Sequence, residues 1–243
     1  MQDYLKDIVQ HTHGLGTIDL VKVTGTETET RVIALAEDKT VVVDALFKSA
    51  HPDFIGTFGM PNLAKLNTIL GIPEYKENAK LTITKQDRNG ESVPVGIHFE
   101  NKAGDFKNDY RFMTAEIIND KLKNQKMRPV KWNVDFAPSV QNIQRLRFQA
   151  SANSDETTFT AKTENGDLKF FFGDHASHAG NFVFQAGVTG TLSKSWSWPV
   201  GAVMAILALS GDKAFRISDE GAAQITVDSG VAVWNYTLPA QTK

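Results

Sequence analysis

The chain opens with apolar positions at helical spacing: in QDYLKDIVQ, Tyr4, Leu5, Ile8 and Val9 fall on one side. The period then changes. TIDLVKVTG, TETRVIALAED and TVVVDALFK alternate and predict strands, with EDKT as a turn between the second and third. MPNLAKLNTILG returns to helical spacing, with Leu63, Leu66, Ile69 and Leu70 as its buried stripe, Pro61 in its first turn and Gly71 at its end. AKLTITKQ, a DRNG turn at Asp87–Gly90, PVGIHFE and a long strand, DYRFMTAEII, complete the first half.

The pattern then starts again. KWNVDF predicts a strand and PSVQNIQRLRFQA a helix that carries Val140, Ile143 and Leu146 inward. TTFTAKTENGDLKFFFGD predicts a hairpin around Asn165–Gly166, and NFVFQAGV another strand. WPVGAVMAILALSG predicts a helix, with Pro199 near its start and Gly211 past its end. AFRISDEGAAQITV and VAVWNYTLPA close the chain as paired strands. Each half therefore has an opening helix, near Gln2 and Pro138, and a second helix behind Pro61 and Pro199, at offsets of 136 and 138 residues. Near-equal offsets with little residue identity point to a duplicated domain. The expected organisation is a domain over residues 1–120, a connector over 121–131 and a domain over 132–243, in an α+β fold with antiparallel sheets and two short helices per domain.

Charge changes this picture locally. Net charge is −2, with 41% hydrophobic and 22% charged residues, so a uniformly basic nucleic-acid coat is excluded while cations concentrated on one face are not. Within NDKLKNQKMRPVKW (Asn119–Trp132), Lys121, Lys123, Lys126, Arg128 and Lys131 fall at the seam between the halves, where a polar connector belongs. Cysteine is absent, which removes disulfides and thiolate chemistry and fits a reducing compartment. The N-terminus is unlike a signal peptide, and Trp198–Leu209 is shorter than the roughly 20 residues of a membrane span. A soluble, cytoplasmic protein is expected.

Catalytic chemistry is hard to find. No dinucleotide fingerprint, phosphate loop, zinc-protease motif or nucleophile elbow is present. In GDHASHAGN, Asp174, His175 and His178 are candidates to share a metal, but no nearby fourth ligand accompanies them, and a polar loop between strands is the preferred reading. His11 and His13 end the first helix on different sides; His51 and His98 have no assigned role. No enzyme and no cofactor are expected. Cations recur on the polar sides of the helices: Lys6 on the first, Lys65 on the second and Arg145 and Arg147 on the third, with Lys194 and Lys213 flanking the fourth. Asp3 and Asp7 share the first helix and count against a strongly positive face.

Several stretches resemble the DNA sliding clamps. HPDFIGTFGMPNLAKLNTIL resembles the family's entry into the second helix, and DFKNDYRFMTAEI the edge strand ending the first domain. KWNVDFAPSVQNIQRLR resembles the opening of the second domain, and VAVWNYTLPA the aromatic-x-x-Pro ending, here Tyr236, Leu238 and Pro239. The size suits the two-domain trimeric clamps of archaea, eukaryotes and T4-like phages; the connector and second-domain layout are closest to the phage clamps. The resemblance implies a homotrimeric ring that encircles duplex DNA without sequence readout and tethers a replicative polymerase, with a clamp loader as second partner and no membrane or metal. It implies DNA-facing roles for Lys6, Lys65, Arg145, Arg147, Lys194 and Lys213. It also implies a subunit joint of Tyr110, Phe112 and Met113 against Phe182, Val183 and Phe184. A pocket for partner peptides would use Leu35, Val41, Met127, Pro129, Tyr236, Leu238 and Pro239, under a connector more basic than is common in the family. The alternative is a β-rich virion structural or carbohydrate-binding protein, in which Trp196 and Trp198 beside GDHASHAGN would be exposed for sugar contact.

Overall fold

The computed structural model describes residues 1–88, 90–123, 129–173 and 178–241, with backbone alone at Arg88 and Glu91. The chain is α+β with antiparallel sheets, and it divides into two compact units. The first holds Met1–Lys126 together with Ser229–Trp234; the second holds Met127–Asp228 and Asn235–Lys243.

In the first unit the elements run α1 (Gln2–His11), β1 (Leu20–Gly25), β2 (Thr30–Leu35), β3 (Val42–Phe47), β4 (Gly56–Pro61), α2 (Leu63–Gly71), β5 (Lys80–Arg88), β6 (Glu91–Glu100), β7 (Lys107–Arg111) and α3 (Ala115–Lys121). One sheet has the order β4-β1-β2-β3, and a second has the order β5-β6-β7, so β7 is an edge. Alternation sorts the strands: Val21, Val23, Val32, Ala34, Val43 and Ala45 are buried. Helix α2 buries the four residues its spacing selects, Leu63, Leu66, Ile69 and Leu70. Each such side chain is worth roughly 1.5–3 kcal/mol as an upper estimate.

The predicted EDKT turn forms between β2 and β3, where Asp38 accepts hydrogen bonds from the amide and hydroxyl of Thr40 and Lys39 takes φ 60°. Two expectations are corrected. Pro61 does not enter the second helix; it ends β4, because Asn62 turns left-handed (φ 55°) and caps Lys65 N from its side chain at 3.1 Å. DYRFMTAEII is not one strand: β7 stops at Arg111, Met113 bridges to Gly59 of β4, and Ala115 begins α3. The cause is Gly59, where an added Cβ would lie 2.9 Å from Ile118; the missing side chain lets α3 seat Ile118 fully buried on the strand. Asn89 of the DRNG turn lies outside the described residues.

In the second unit the elements are β8 (Val134–Phe136), α4 (Val140–Ala152), β9 (Thr158–Glu164), β10 (Asp167–Phe172), β11 (Gly180–Gln185), β12 (Trp196–Pro199), α5 (Val200–Leu207), β13 (Asp212–Ser218), β14 (Ala222–Asp228) and, from Asn235 on, β15 (Ala232–Pro239). One sheet is ordered β11-β10-β9-β12, leaving β11 at its edge; in the other, β8, β13, β14 and β15 are adjacent. The Asn165–Gly166 hairpin forms with both residues at positive φ, 53° and 83°, as a two-residue turn between twisted strands requires. A cluster of Phe159, Phe170, Phe172, Phe184 and Phe215 with Trp198 fills the core. Helix α4 departs from its expected stripe: Leu146 is its one buried residue, and Val140 stands out in solvent.

Trp234, from the segment near the end of the chain that belongs to the first unit, explains an unexpected feature of α1. Asp7 is buried at 8% exposure, and its Oδ2 accepts from Trp234 Nε1 (2.8 Å) and Ser229 Oγ (3.0 Å). His11, one turn on, stacks on the Trp234 ring at 4.9 Å with its Nε2 3.7 Å from Asp7 Oδ1. Burial raises the Asp7 carboxyl above its ordinary range, against the lowering effect of the two hydrogen bonds. A carboxyl raised in the folded state contributes most below its unfolded value, and that contribution fades as pH rises through the folded value. Asp7→Ala therefore costs about 1–3 kcal/mol near pH 4, from the stranded indole N–H, and less at pH 8. Guanidinium unfolding at the two pH values checks this; a cost that grows with pH contradicts it.

Candidate functional site

The inward turn of Asp7 decides what α1 shows to solvent. Lys6 and Gln10 are exposed, and His13 follows in a single 3₁₀ turn, His13–Leu15. Helices α1 and α2 are in contact, and Lys65 and Asn67 stand on the exposed side of α2. A groove of about 400 Å³ is lined by Lys6, Gln10, His13 and Asn67, with Val9 and Leu70 at its floor. Asp19, beside it, is engaged: it accepts from Ala64 N at 3.1 Å and lies 3.9 Å from His13 Nδ1. The sequence suggests Asp7 as a counter-charge on this face; the structure withdraws it. Gln10 and Asn67 are additions that sequence reasoning misses, since neither carries a charge to mark it.

The second unit repeats this arrangement with different means. Helices α4 and α5 are in contact. Helix α4 has no acidic residue and exposes Gln141, Gln144, Arg145, Arg147 and Phe148, while α5, VGAVMAIL, is uncharged. Lys6, Lys65 and Arg147 make no ion pair among the described residues. Arg145 is drawn aside, with its guanidinium 5.5 Å from the centre of the Phe182 ring on β11.

Lys194 and Lys213 lie off the helices. Lys194 is in a loop, its Nζ 5.9 Å above the Trp196 ring. Asp219 fixes this loop by accepting from Ser193 N, Ser193 Oγ (2.6 Å) and Lys194 N (3.1 Å), while Trp196 Nε1 donates to its carbonyl at 2.8 Å. Burial pushes the Asp219 carboxyl up, but the bonds from Ser193 and Lys194 outweigh it and hold the group below its ordinary range. Lys213 is half-buried at the start of β13; its Nζ donates to Gly211 O at 2.9 Å, and burial lowers its pKa.

The two sheet edges carry the residues expected at a subunit joint, with a correction to their role. Tyr110 is buried, its hydroxyl donating to Pro61 O and raised well above its ordinary pKa by burial. Phe182 and Phe184 are also buried, Phe184 stacking on Phe170 at 4.4 Å. These three side chains face their own cores. Phe112, stacked on Phe58 at 4.4 Å, is half-buried, as are Met113 and Val183. What β7 and β11 offer outward is chiefly backbone.

The expected peptide pocket is likewise redistributed. Val41 belongs to the core of the first unit, and Tyr236 and Leu238 are fully buried in the second. Pro129 and Pro239 are exposed and Leu35 half-buried, while Met127 lies outside the described residues. Leu35 shares a sheet face with Ile33, Val42 and the exposed Leu46, which surround the Arg31–Asp44 ion pair. This apolar face lies opposite the buried Val32, Ala34, Val43 and Ala45, and TVVVDALF carries its signal: both phases of the alternation are largely apolar.

Of the metal candidates, Asp174 and His175 lie outside the described residues, and His178 lies within them. Among the described residues no group of three or more potential ligands is close enough to hold a metal, and no helix is long and apolar enough to cross a membrane. Trp198 is fully buried and Trp196 is engaged with Asp219, so the exposed aromatic pair expected of a sugar site is not formed.

No family model matches the chain, and no curated protein matches it in sequence. Solved structures do match. A PCNA from A. fulgidus, bound to the C-terminal region of FEN-1, superposes with a TM-score of 0.72 at 9% identity, covering 100% of this chain and 97% of that one. The PCNA of Thermococcus kodakaraensis gives 0.68 at 10% identity over 99% and 97%. The Entamoeba histolytica protein gives 0.67 at 12% identity over 99% and 96%. The chain has the two-domain fold of the DNA sliding clamps.

Proposed function

We propose that this chain is a sliding clamp: a non-enzymatic homotrimeric ring that encircles duplex DNA and acts as a processivity factor for a replicative polymerase. The tandem clamp domains are residues 1–120 and 132–243, joined by the connector 121–131. The observation that carries this reading is the pairing of a whole-chain clamp fold with exposed helix faces on which Lys6, Lys65 and Arg147 have no ion-pair partner among the described residues. Cations that meet phosphates through solvated side chains attract DNA without reading bases, and every register along the duplex offers nearly the same energy. Arg145, drawn over the Phe182 ring, is less free to meet phosphate than Arg147, and Lys194 and Lys213 flank α5, the latter already bonded to Gly211.

Ring closure uses the backbone edges of β7 in one copy and β11 in the next, the head-to-tail geometry that generates closed rings. Partner peptides from a polymerase and a clamp loader dock on the apolar face carrying Ile33, Leu35, Val42 and Leu46. Binding of a partner segment in general is supported by the A. fulgidus protein, which is bound to the C-terminal region of FEN-1; the choice of this face rests on its exposed Leu46 and half-buried Ile33, Leu35 and Val42. Val41 backs this surface from within the core of the first unit. The Lys-rich connector, closest to that of the phage clamps, suits a phage-encoded protein working in the cytoplasm of its host.

Loaded by its cognate loader onto nicked circular DNA, the protein stays bound through a high-salt wash and is lost once the circle is linearised; equal loss from both forms rules out encirclement. On a short linear duplex, Lys6→Ala, Lys65→Ala and Arg147→Ala each flatten the dependence of log K on log salt, by ~0.9 for every phosphate that the variant no longer neutralises. Unchanged slopes place these residues away from DNA. Leu46→Asp weakens binding of polymerase-tail peptides about tenfold, read by fluorescence anisotropy, and leaves sedimentation unchanged.

A further inference from the structure

Helix α4 carries an exposed side chain that a wall facing duplex DNA does not need. Phe148 is 65% exposed, whereas neither α1 nor α2 exposes a large hydrophobic side chain among the described residues. Its direction follows from the helical period. Leu146, the one buried residue of α4, points into the core. Phe148 comes two positions later, about 200° around the helix, and so points away from that core.

The same outward face carries Gln144 and Gln141, one and two turns before Phe148, and Ser151 in the turn after it, all exposed. Arg145 and Arg147 flank this face on opposite sides. Arg145 leans toward β11, with its guanidinium 5.5 Å from the centre of the Phe182 ring. Arg147 is exposed and makes no ion pair among the described residues. Helix α4 holds no acidic residue, and α5 (VGAVMAIL) and β11 (GNFVFQ), which it contacts, are uncharged. The carboxylates nearest to Phe148 in sequence, Asp155 and Glu156, follow the end of the helix.

Duplex DNA gives such a ring nothing to stack on, because it presents phosphates, sugars and base edges while the base faces are closed against one another. An unpaired strand does offer base faces. A protein partner fits this surface less well. Val140, the other exposed apolar residue of α4, lies two turns from Phe148 with Gln141 and Gln144 between, so the two form no continuous apolar patch. An aromatic ring among arginines and side-chain amides, on a helix without a carboxylate, has the chemistry that holds a single strand. The cations take the backbone, the ring takes a base, and the amides bond to phosphate oxygens or base edges.

We propose that α4 binds single-stranded DNA: one unpaired base stacks on Phe148, Arg147 meets the phosphate beside it, and Gln144 bonds to the strand. The site lies within the second unit of one copy, so it goes beyond the ring function and does not need a closed ring. It gives the two kinds of exposed residue on α4 separate work. Arg147 attracts any nucleic acid by charge, whereas Phe148 favours a strand whose bases are free. On the reading of the chain as a sliding clamp, the protein then dwells longer where duplex gives way to single strand, because that junction offers a contact the duplex lacks.

Fluorescence anisotropy tests this with three labelled probes of equal length: an oligothymidylate, a duplex, and a single strand with abasic residues in place of its bases. Wild-type protein binds the oligothymidylate more tightly than the abasic strand. Phe148→Ala weakens oligothymidylate binding about tenfold, with the salt slope and the affinity for duplex unchanged, and Phe148→Tyr retains it. Arg147→Ala weakens binding to all three probes and flattens the slope on the single strands by ~0.7. Circular dichroism and sedimentation velocity confirm that the variants keep their fold and assembly. No binding of oligothymidylate at low salt, equal wild-type affinity for the abasic strand, or an unaltered Phe148→Ala each overturns the stacking site. Loss of self-association in Phe148→Ala assigns the ring to a contact between copies and overturns it too. Failure of retention on circular DNA, with base-dependent binding intact, removes the ring function and leaves this site standing.

Discussion

The hydrogen bond from Trp234 to Asp7 sets the roll of α1, and the character of its exposed face follows from that roll. A carboxylate in the middle of a short helix would ordinarily face water. Here it turns inward to satisfy an indole N–H that has no solvent of its own, with Ser229 as second donor and His11 stacked alongside. With Asp7 withdrawn, Lys6, Gln10 and His13 are left on the groove beside α2. The first unit is thus completed by a segment from near the end of the chain, and its cationic surface depends on that completion. Burial of the carboxyl has a cost that rises with pH, so the tie is weakest where the carboxylate is most fully ionised.

A second constraint acts at the strand edges. Tyr110, Phe182 and Phe184 point into their own cores, so a joint along β7 and β11 takes little apolar burial from the strands themselves. Backbone pairing alone is modest in net free energy, because water satisfies the same groups in the separated copies. Stable closure at working concentrations then requires burial supplied from beside the strands.

Much of the architecture was legible because it depends on period and turn chemistry. The α2 stripe, the Asp38–Thr40 turn and the Asn165–Gly166 hairpin each follow from residues within a dozen positions of one another. The misreadings share a different cause: a decisive partner distant in sequence. DYRFMTAEII alternates well enough to read as one strand, and only Gly59, more than fifty residues away, makes room for α3. Asp7 looks like a surface carboxylate until Trp234 is brought to it. Val140 fits a helical stripe, yet among the described residues nothing covers it. For the candidate site, the charged members could be picked out and their environments could not. Lys6, Lys65 and Arg147 stand in solvent, whereas Arg145 sits over Phe182 and Lys213 is bonded to Gly211. The neutral Gln10 and Asn67 leave no mark in composition.

Sequence identities of 9–12% with full-length superposition show how little residue identity this fold demands. Two sheets and a pair of helices per unit require apolar positions at the right period and turns at the right places, and many residues meet those terms. A sliding ring relaxes the demand further. A protein that reads sequence must place particular side chains against particular base edges to within a fraction of an ångström. A ring that encloses its track needs only a wall that is weakly attractive everywhere and strongly attractive nowhere, since deep local wells would arrest movement. On the function proposed above, Lys6, Lys65 and Arg147, without an ion-pair partner among the described residues on a chain of net charge −2, would meet that requirement. A denser positive surface would raise affinity for DNA and slow the movement along it.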